Sequence, residues 1–230
     1  MQITVSDHPL VAHKLTTLRD RKSDLATFRR MADDIAILLA YEATRHVNMT
    51  EVSIETPMAS ARCARLAEPA PLVVPLLRAG LGLLDGMLRL LSTAEVGVLG
   101  MVRDSETLQA KPYAARLPED LGGRQCFLLD PALGTGGTLA QAIRLLVDRG
   151  AADVTAICLL ASPVGVARLR EEFEDSAVPV RVVVAGLDER LSDEGFIVPG
   201  MGDAGDRLFG VSGFSMLDDR IPGEMAMSER

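Results

Sequence analysis

The chain of 230 residues is poor in several features that would each commit it to a chemistry. Its three cysteines, Cys63, Cys126 and Cys158, are an odd, scattered set with no C-x-x-C, and two of them sit inside apolar runs as small hydrophobes. That usage fits a reducing cytoplasm. The histidines His8, His13 and His46 are too dispersed to make a metal site, so ordinary caps or partly buried polar contacts are expected of them and no protein metal ligands are assigned. Basic residues are outnumbered, 24 Lys and Arg against 32 Asp and Glu, for a net charge of −8. This speaks against broad binding to nucleic acid or to an anionic membrane surface, and an anionic substrate must be met by arginines of its own. No apolar run approaches membrane-spanning length, and the opening MQITVSDHPL has neither the basic start nor the apolar stretch of a signal peptide. No membrane association is expected.

Glycine and hydroxyl are concentrated instead at one bend, CFLLDPALGTGGTLAQAIRLLV, from Cys126 to Val147. Cys126 to Leu129 reads as a strand buried on both faces, while Leu139, Ile143, Leu146 and Val147 recur at helical spacing. The loop therefore joins a strand to a helix N-terminus. Gly134, Gly136 and Gly137 allow positive φ and close approach of a ligand to the amides, Thr135 and Thr138 add hydroxyl donors, and the helix dipole points its positive end into the same space. The arrangement is a phosphate cradle. The lysine of G-x-x-x-x-G-K-[ST] is missing and the register is not that of G-x-G-x-x-G, which weakens the ATPase and dinucleotide readings. Asp130 would repel an anion, but at the end of a strand it is placed to accept two hydrogen bonds from a diol, so one loop could hold a ribose by Asp130 and its phosphate by the following amides. The blander readings are a glycine-rich turn with no ligand and an Asp130 that only caps it.

The remainder alternates strand and helix. After Ser23 as N-cap and Asp24 in the first turn, Leu25, Phe28, Ala32, Ile35, Leu39 and Ala43 mark one face of a long helix. Strands are expected at 51–56, 72–77, 96–102, 154–160 and 180–185, with helices at 81–91 and 164–173. This predicts one α/β domain over residues 1–210, a mostly parallel sheet flanked by helices, and ligands at the carboxyl ends of the strands. Three further bends fall at such ends. PLLRAGLG sets Arg78 beside Gly80; GMVRDSETLQAKPYAARLP sets Arg103 before a long polar stretch that suits a lid or small hairpin arm; IVPGMGDAGDRLFG offers glycine backbone to a flat ligand edge, with Asp203 and Asp206 as acceptors. Turn chemistry or a solvated arginine would account for each bend taken singly.

Taken in order, HPLVAHKL, YEATR, VVPLLRAGLG, GMVRDSETL, DPALGTGGT and PGMGDAGDRLFG resemble the uracil phosphoribosyltransferases, members of the type I phosphoribosyltransferase fold, over nearly the whole chain up to Gly210. The resemblance implies transfer of a phosphoribosyl group from 5-phosphoribosyl 1-diphosphate to uracil, giving UMP and diphosphate, with Mg²⁺ held mainly by the substrate diphosphate. It implies that Asp130, Pro131, Ala132, Leu133, Gly134, Thr135, Gly136, Gly137 and Thr138 cradle the ribose and its 5-phosphate. Arg78 and Arg103 would hold the diphosphate, Ile197, Gly202, Asp203 and Ala204 would form the uracil site, and Asp203 would be the acidic group nearest the reacting centre. A homodimer or higher assembly is what the family suggests. Val102, Ala114, Gly134 and Phe196 depart from the family pattern, which has tyrosine, an aromatic residue, alanine and tyrosine there. The competing reading is a pyrimidine-responsive RNA-binding regulator on the same fold, which the acidic composition disfavours. The tail 211–230 lies beyond the resemblance, and its composition suggests a loosely held end.

Overall fold

Apolar runs without alternation become the central strands, because only a strand covered on both faces can bury every side chain it carries. In a computed structural model, residues 1–103 and 110–210 are described, except for the side chains at 103 and 110. The tail 211–230 and part of the expected arm, 104–109, lie outside the described residues. In chain order the elements are β1 (Gln2–Val5), α1 (Pro9–Arg19), α2 (Leu25–Ala43), β2 (Met49–Glu55), β3 (Ser60–Leu66), β4 (Leu72–Leu77), α3 (Leu84–Leu90), β5 (Glu95–Val96), β6 (Val98–Arg103), β7 (Ala110–Arg116), β8 (Gln125–Leu129), β9 (Ala132–Leu133), α4 (Gly137–Asp148), β10 (Asp153–Ala161), α5 (Pro163–Phe173), β11 (Val180–Leu187), β12 (Arg190–Leu191), β13 (Ile197–Val198) and α6 (Ala204–Phe209). The main sheet runs β1-β11-β10-β8-β4-β6-β7. Its pairs are parallel apart from β6 with β7, and β10 is buried along its whole length. The expected α/β architecture with a mostly parallel sheet is the one observed.

Each face of the sheet carries its own core. On one side Phe28, Ile35 and Leu39 of α2 pack with Leu15 and Leu18 of α1, Met87 of α3 and Leu208 of α6 against Ile157, Leu159 and Val183. On the other, Ile143 and Leu146 of α4 and Leu169 and Phe173 of α5 cover Leu128, Val154, Ala156 and Cys158. Cys126 and Cys158 are buried as small hydrophobes, and burial pushes the Cys126 thiol up to about 12.

Local chemistry refines several boundaries. Asp24, not Ser23, caps α2: its Oδ1 accepts from the Thr27 amide at 2.8 Å, while the Ser23 hydroxyl donates to the Thr17 carbonyl at 2.6 Å. His8 is indeed a cap, its Nδ1 accepting from the Leu10 amide at 3.1 Å. The helix expected from Leu81 begins as a 3-10 turn, Ala79–Leu83, and becomes α only at Leu84. Backbone crowding supplies the reason: a Cβ on Gly80 would lie 2.2 Å from the Leu129 carbonyl oxygen, so the turn is pressed onto the end of β8. The strand expected at 51–56 belongs to a hairpin whose second half, β3, carries no clean apolar alternation because most of both strands is exposed.

Candidate functional site

Parallel strands discharge their loops at one edge, so the sheet order decides which residues meet. β6, β4 and β8 are consecutive neighbours, and Arg103 ends β6, Arg78 follows β4 and Asp130 follows β8. Three residues far apart in sequence are thereby delivered to the same edge. The Arg103 side chain lies outside the described residues. The Arg78 guanidinium carbon sits 5.5 Å from the centre of the Phe209 ring, which joins the β4 turn to the end of α6.

Past Asp130 the chain makes the short strand β9 against β10, with the Pro131 carbonyl accepting from the amides of Leu159 and Leu160 at 2.9 and 3.1 Å. Pro131, Ala132 and Leu133 thus fasten the loop to the sheet, and the glycine-rich turn opens beyond them. Of its glycines only Gly136, the N-cap of α4, has positive φ, at 79°. Gly134 does not, and a Cβ there would meet only the Gly195 carbonyl oxygen at 3.4 Å, an ordinary contact. The expectation that all three glycines serve positive φ is corrected to one. It follows that Gly134→Ala, which restores the usual family residue, should stay within about 0.5 kcal/mol of the parent in denaturant melts. A larger loss would show that this turn needs glycine for more than space.

Asp130, Ala132, Leu133, Gly134, Thr135, Gly136 and Thr138 line a mostly polar cavity of about 180 Å³, with Glu194 and Gly195 also on its wall. Asp130 faces this cavity, and the Ala132 amide acts on its carboxylate. Burial pushes its carboxyl up to about 6, and the Ala132 amide only partly opposes that shift.

A second cavity, of about 150 Å³, shares Ala132, Gly134 and Gly195 with the first and is bounded by Phe196, Ile197, Met201, Gly202, Asp203 and Ala204. The loop IVPGMGDAGDRLFG expected to meet a flat ligand therefore lies beside the glycine-rich turn. Asp203 caps α6, its Oδ1 accepting from the Asp206 amide at 2.8 Å. Gly195, at φ 85°, lets the β12–β13 hairpin turn over the junction between the cavities.

The residues that hold these loops were not singled out from the sequence. The Ser162 hydroxyl donates to the Gly134 carbonyl at 2.7 Å and accepts from the Gly165 amide at 3.0 Å, so one side chain both caps α5 and pins the cradle. Serine followed by proline at the head of a helix was the legible signal for it. Arg19 forms a fork on Asp188 and also donates to the Gly200 carbonyl at 2.9 Å, while the Gly200 amide donates to Asp188 Oδ2 at 2.8 Å. Arg207 donates to the carbonyls of Leu18, Met201 and Asp20 at 2.9, 3.0 and 2.7 Å with its guanidinium 4.4 Å from the Phe28 ring centre. These two arginines bind the Gly200–Met201 loop to the segment joining α1 and α2. Their partners are remote carbonyls and a remote carboxylate, which no local pattern announces.

The sequence has many relatives of one kind. The family model described as uracil phosphoribosyltransferase matches residues 5–211. The uracil phosphoribosyltransferase of a Nocardioides species is 62% identical over 213 residues, covering 93% of this chain and 100% of the relative, and that of Streptomyces coelicolor is 60% identical over 212 residues, covering 92% and 100%. A solved structure from Aquifex aeolicus superposes with a TM-score of 0.84 at 38% identity, over 93% of this chain and 100% of that one. None of these findings favours the RNA-binding reading. Among the described residues no helix is long and apolar enough to cross a membrane, and no three acidic, histidine or cysteine side chains cluster as a metal site.

Proposed function

The chain belongs to the uracil phosphoribosyltransferase family, and from that premise we propose that its paired cavities bind 5-phosphoribosyl 1-diphosphate and uracil and form UMP and diphosphate. The observation that carries the reading is the polar cavity at Asp130 to Thr138 lying next to the smaller cavity of Ile197 to Ala204, with Ala132, Gly134 and Gly195 on the walls of both. In this reading the amides and hydroxyls of Thr135 to Thr138 hold the 5-phosphate, and Asp130 accepts the ribose hydroxyls. Arg78 and Arg103 hold the diphosphate. Backbone groups of Ile197, Gly202 and Ala204 read the uracil edges, with Asp203 nearest the anomeric carbon. As the bond from that carbon to the diphosphate oxygen breaks, its electron pair leaves with the diphosphate, the carbon becomes cationic, and uracil nitrogen closes on it with loss of its proton. The arginines lower the barrier by holding the growing negative charge, and water, which would compete for the same carbon, has to be kept from it. Mg²⁺ carried by the diphosphate would add positive charge to the leaving group, and a metal held mainly by substrate oxygens suits a site where no three acidic, histidine or cysteine side chains cluster among the described residues. A cytoplasmic enzyme in a homodimer or higher assembly is the corresponding cellular form, and light scattering measures the second part of that statement.

The test is UMP formation from the two substrates with Mg²⁺, abolished by chelation. Folded protein that makes no UMP over a broad screen of pH and divalent ion would overturn the reading.

Asp130 supplies a sharper test. Ribose hydroxyls donating to its carboxylate favour the charged form, whereas the free protein holds the proton up to about pH 6. Affinity for 5-phosphoribosyl 1-diphosphate should therefore weaken as pH falls below about 6, by on the order of tenfold at pH 5. The substrate phosphate titrates in the same range, so the comparison is with Asp130→Asn, which keeps the phosphate's contribution and loses the carboxylate's. The folding sign is the opposite of an ordinary paired carboxylate: with a raised folded value, Asp130 makes the protein less stable as pH rises from about 4 to 6, and the asparagine variant should lack that slope. Identical pH profiles of binding in the two proteins would remove Asp130 from the ribose.

A further inference from the structure

One arginine that does not itself line the cavity packs against its glycine-rich turn. Arg168, on the second turn of α5, runs its stem past Gly136 and lays its guanidinium over Gly137: a Cβ built on Gly136 would lie 3.5 Å from Arg168 Cβ, and one built on Gly137 would lie 3.2 Å from Arg168 Nη1. Side-chain bonds in a helix tilt toward its N-terminus, so the space above the Cβ position of Gly137, the first residue of α4, lies toward the end where the free amides point. The guanidinium is thereby set beside the positive end of a helix dipole. Two like charges so placed repel unless an anion joins them. Arg168 is exposed, and among the described residues it makes no ion pair that would neutralise it.

The position is fixed by more than the side chain. Ser162 ties the start of α5 to the Gly134 carbonyl, and a Cβ on Gly165 would lie 2.3 Å from that same oxygen, so α5 and the cradle are in backbone contact. Absence of a side chain at Gly137 leaves the space that the guanidinium occupies. Gly137 thus acquires a reason that positive φ does not give it.

We propose that Arg168 is a further ligand of the 5-phosphate, closing over the anion from the α5 side while the amides of the turn hold it from below. This rests on the phosphoribosyl reading of the cavity. The chemistry it selects is a phosphate monoester, which accepts a charge-assisted bond from guanidinium, and the contact is remote from the bond that breaks. Arg168 is accordingly a binding residue whose loss should appear in KM for 5-phosphoribosyl 1-diphosphate, with kcat largely kept.

The experiment measures binding of ribose 5-phosphate, diphosphate and uracil by calorimetry to the parent chain, Arg168→Ala and Arg168→Lys. Arg168→Ala should weaken ribose 5-phosphate by on the order of tenfold and leave diphosphate and uracil unchanged, and Arg168→Lys should recover part of the loss by restoring the charge. Equal ribose 5-phosphate affinity in the parent and Arg168→Ala would overturn the assignment while leaving the phosphoribosyl reading intact. Equal weakening of all three ligands with a lowered melting temperature would also overturn it, since that is the behaviour of a brace for the loop. A parent chain that binds no ribose 5-phosphate would remove the phosphoribosyl reading itself, and Arg168's role with it.

Discussion

Asp188→Ala is expected to lose about 3 kcal/mol of folding stability and to weaken uracil binding at the same time, although Asp188 lines neither of the two site cavities. Its carboxylate takes the fork of Arg19 and the amide of Gly200, and its side chain is 4% exposed. Removing it strands a half-buried guanidinium and unpairs the Gly200 amide, the costly way to break a buried pair. Losses of this kind run about 3 to 5 kcal/mol, and the 24% exposure of Arg19 puts this one at the lower end. The base-side effect follows from position. Gly200 adopts φ 68° immediately before Met201 and Gly202, so freeing its amide loosens the wall of the smaller cavity.

The pH dependence identifies the cause. Burial alone would raise the Asp188 carboxyl, but the Arg19 hydrogen bonds, the Gly200 amide and the Arg19 charge together outweigh it and hold the group below its ordinary value. A depressed carboxylate contributes stability that is complete above its unfolded value, about 3.9, and is lost as pH falls through the folded one. The gap between parent and variant should thus be constant near neutrality and shrink in acid. Denaturant melts across that range measure it, and a neutral-pH loss below about 0.5 kcal/mol would show that the brace is replaceable by water.

What was legible in the sequence divides along physical lines. Strands such as β8 and β10 are continuous apolar runs, and α2 keeps a single apolar face, so their identity follows from burial alone. The turn between β8 and α4 was legible because glycine and hydroxyl concentrate between an apolar run and a helical pattern. The helix after β4 follows its apolar pattern, but its first turn is 3-10 because Gly80 is jammed against the Leu129 carbonyl, a contact between chain segments. Hairpin strand β3 was missed because an exposed strand has no core face to impose alternation. Arg19, Asp188 and Arg207 were invisible for a related reason: each acts on groups far away in sequence, and an arginine whose partners are backbone carbonyls leaves no second residue to pair it with. Arg168 belongs to the same class, since its meaning comes from the packing of α5 on the turn rather than from its neighbours in the chain.

Arg78→Lys should lower turnover by on the order of 10²-fold while weakening 5-phosphoribosyl 1-diphosphate much less. The substitution keeps one positive charge at the end of β4 and removes the planar fork that can grip two diphosphate oxygens at once. If Arg78 only attracted an anion, the ammonium would serve nearly as well and any loss would fall on affinity. If its part is to hold charge that develops as the carbon–oxygen bond breaks, the geometry counts most in the transition state and the loss falls on the chemical step. The fold favours a fixed guanidinium: Arg78 begins a turn pressed onto β8 through Gly80 and lies across the Phe209 ring, so lysine would lose that stacking as well as the fork. Arg103, at the end of the neighbouring strand, carries the same expectation for Arg103→Lys. Single-turnover UMP formation at saturating substrates, set beside equilibrium binding of 5-phosphoribosyl 1-diphosphate, separates the two cases. Near-normal turnover in both lysine variants, with folding intact, would leave the arginines as general anion attractors and place the stabilisation of the leaving group elsewhere in the site.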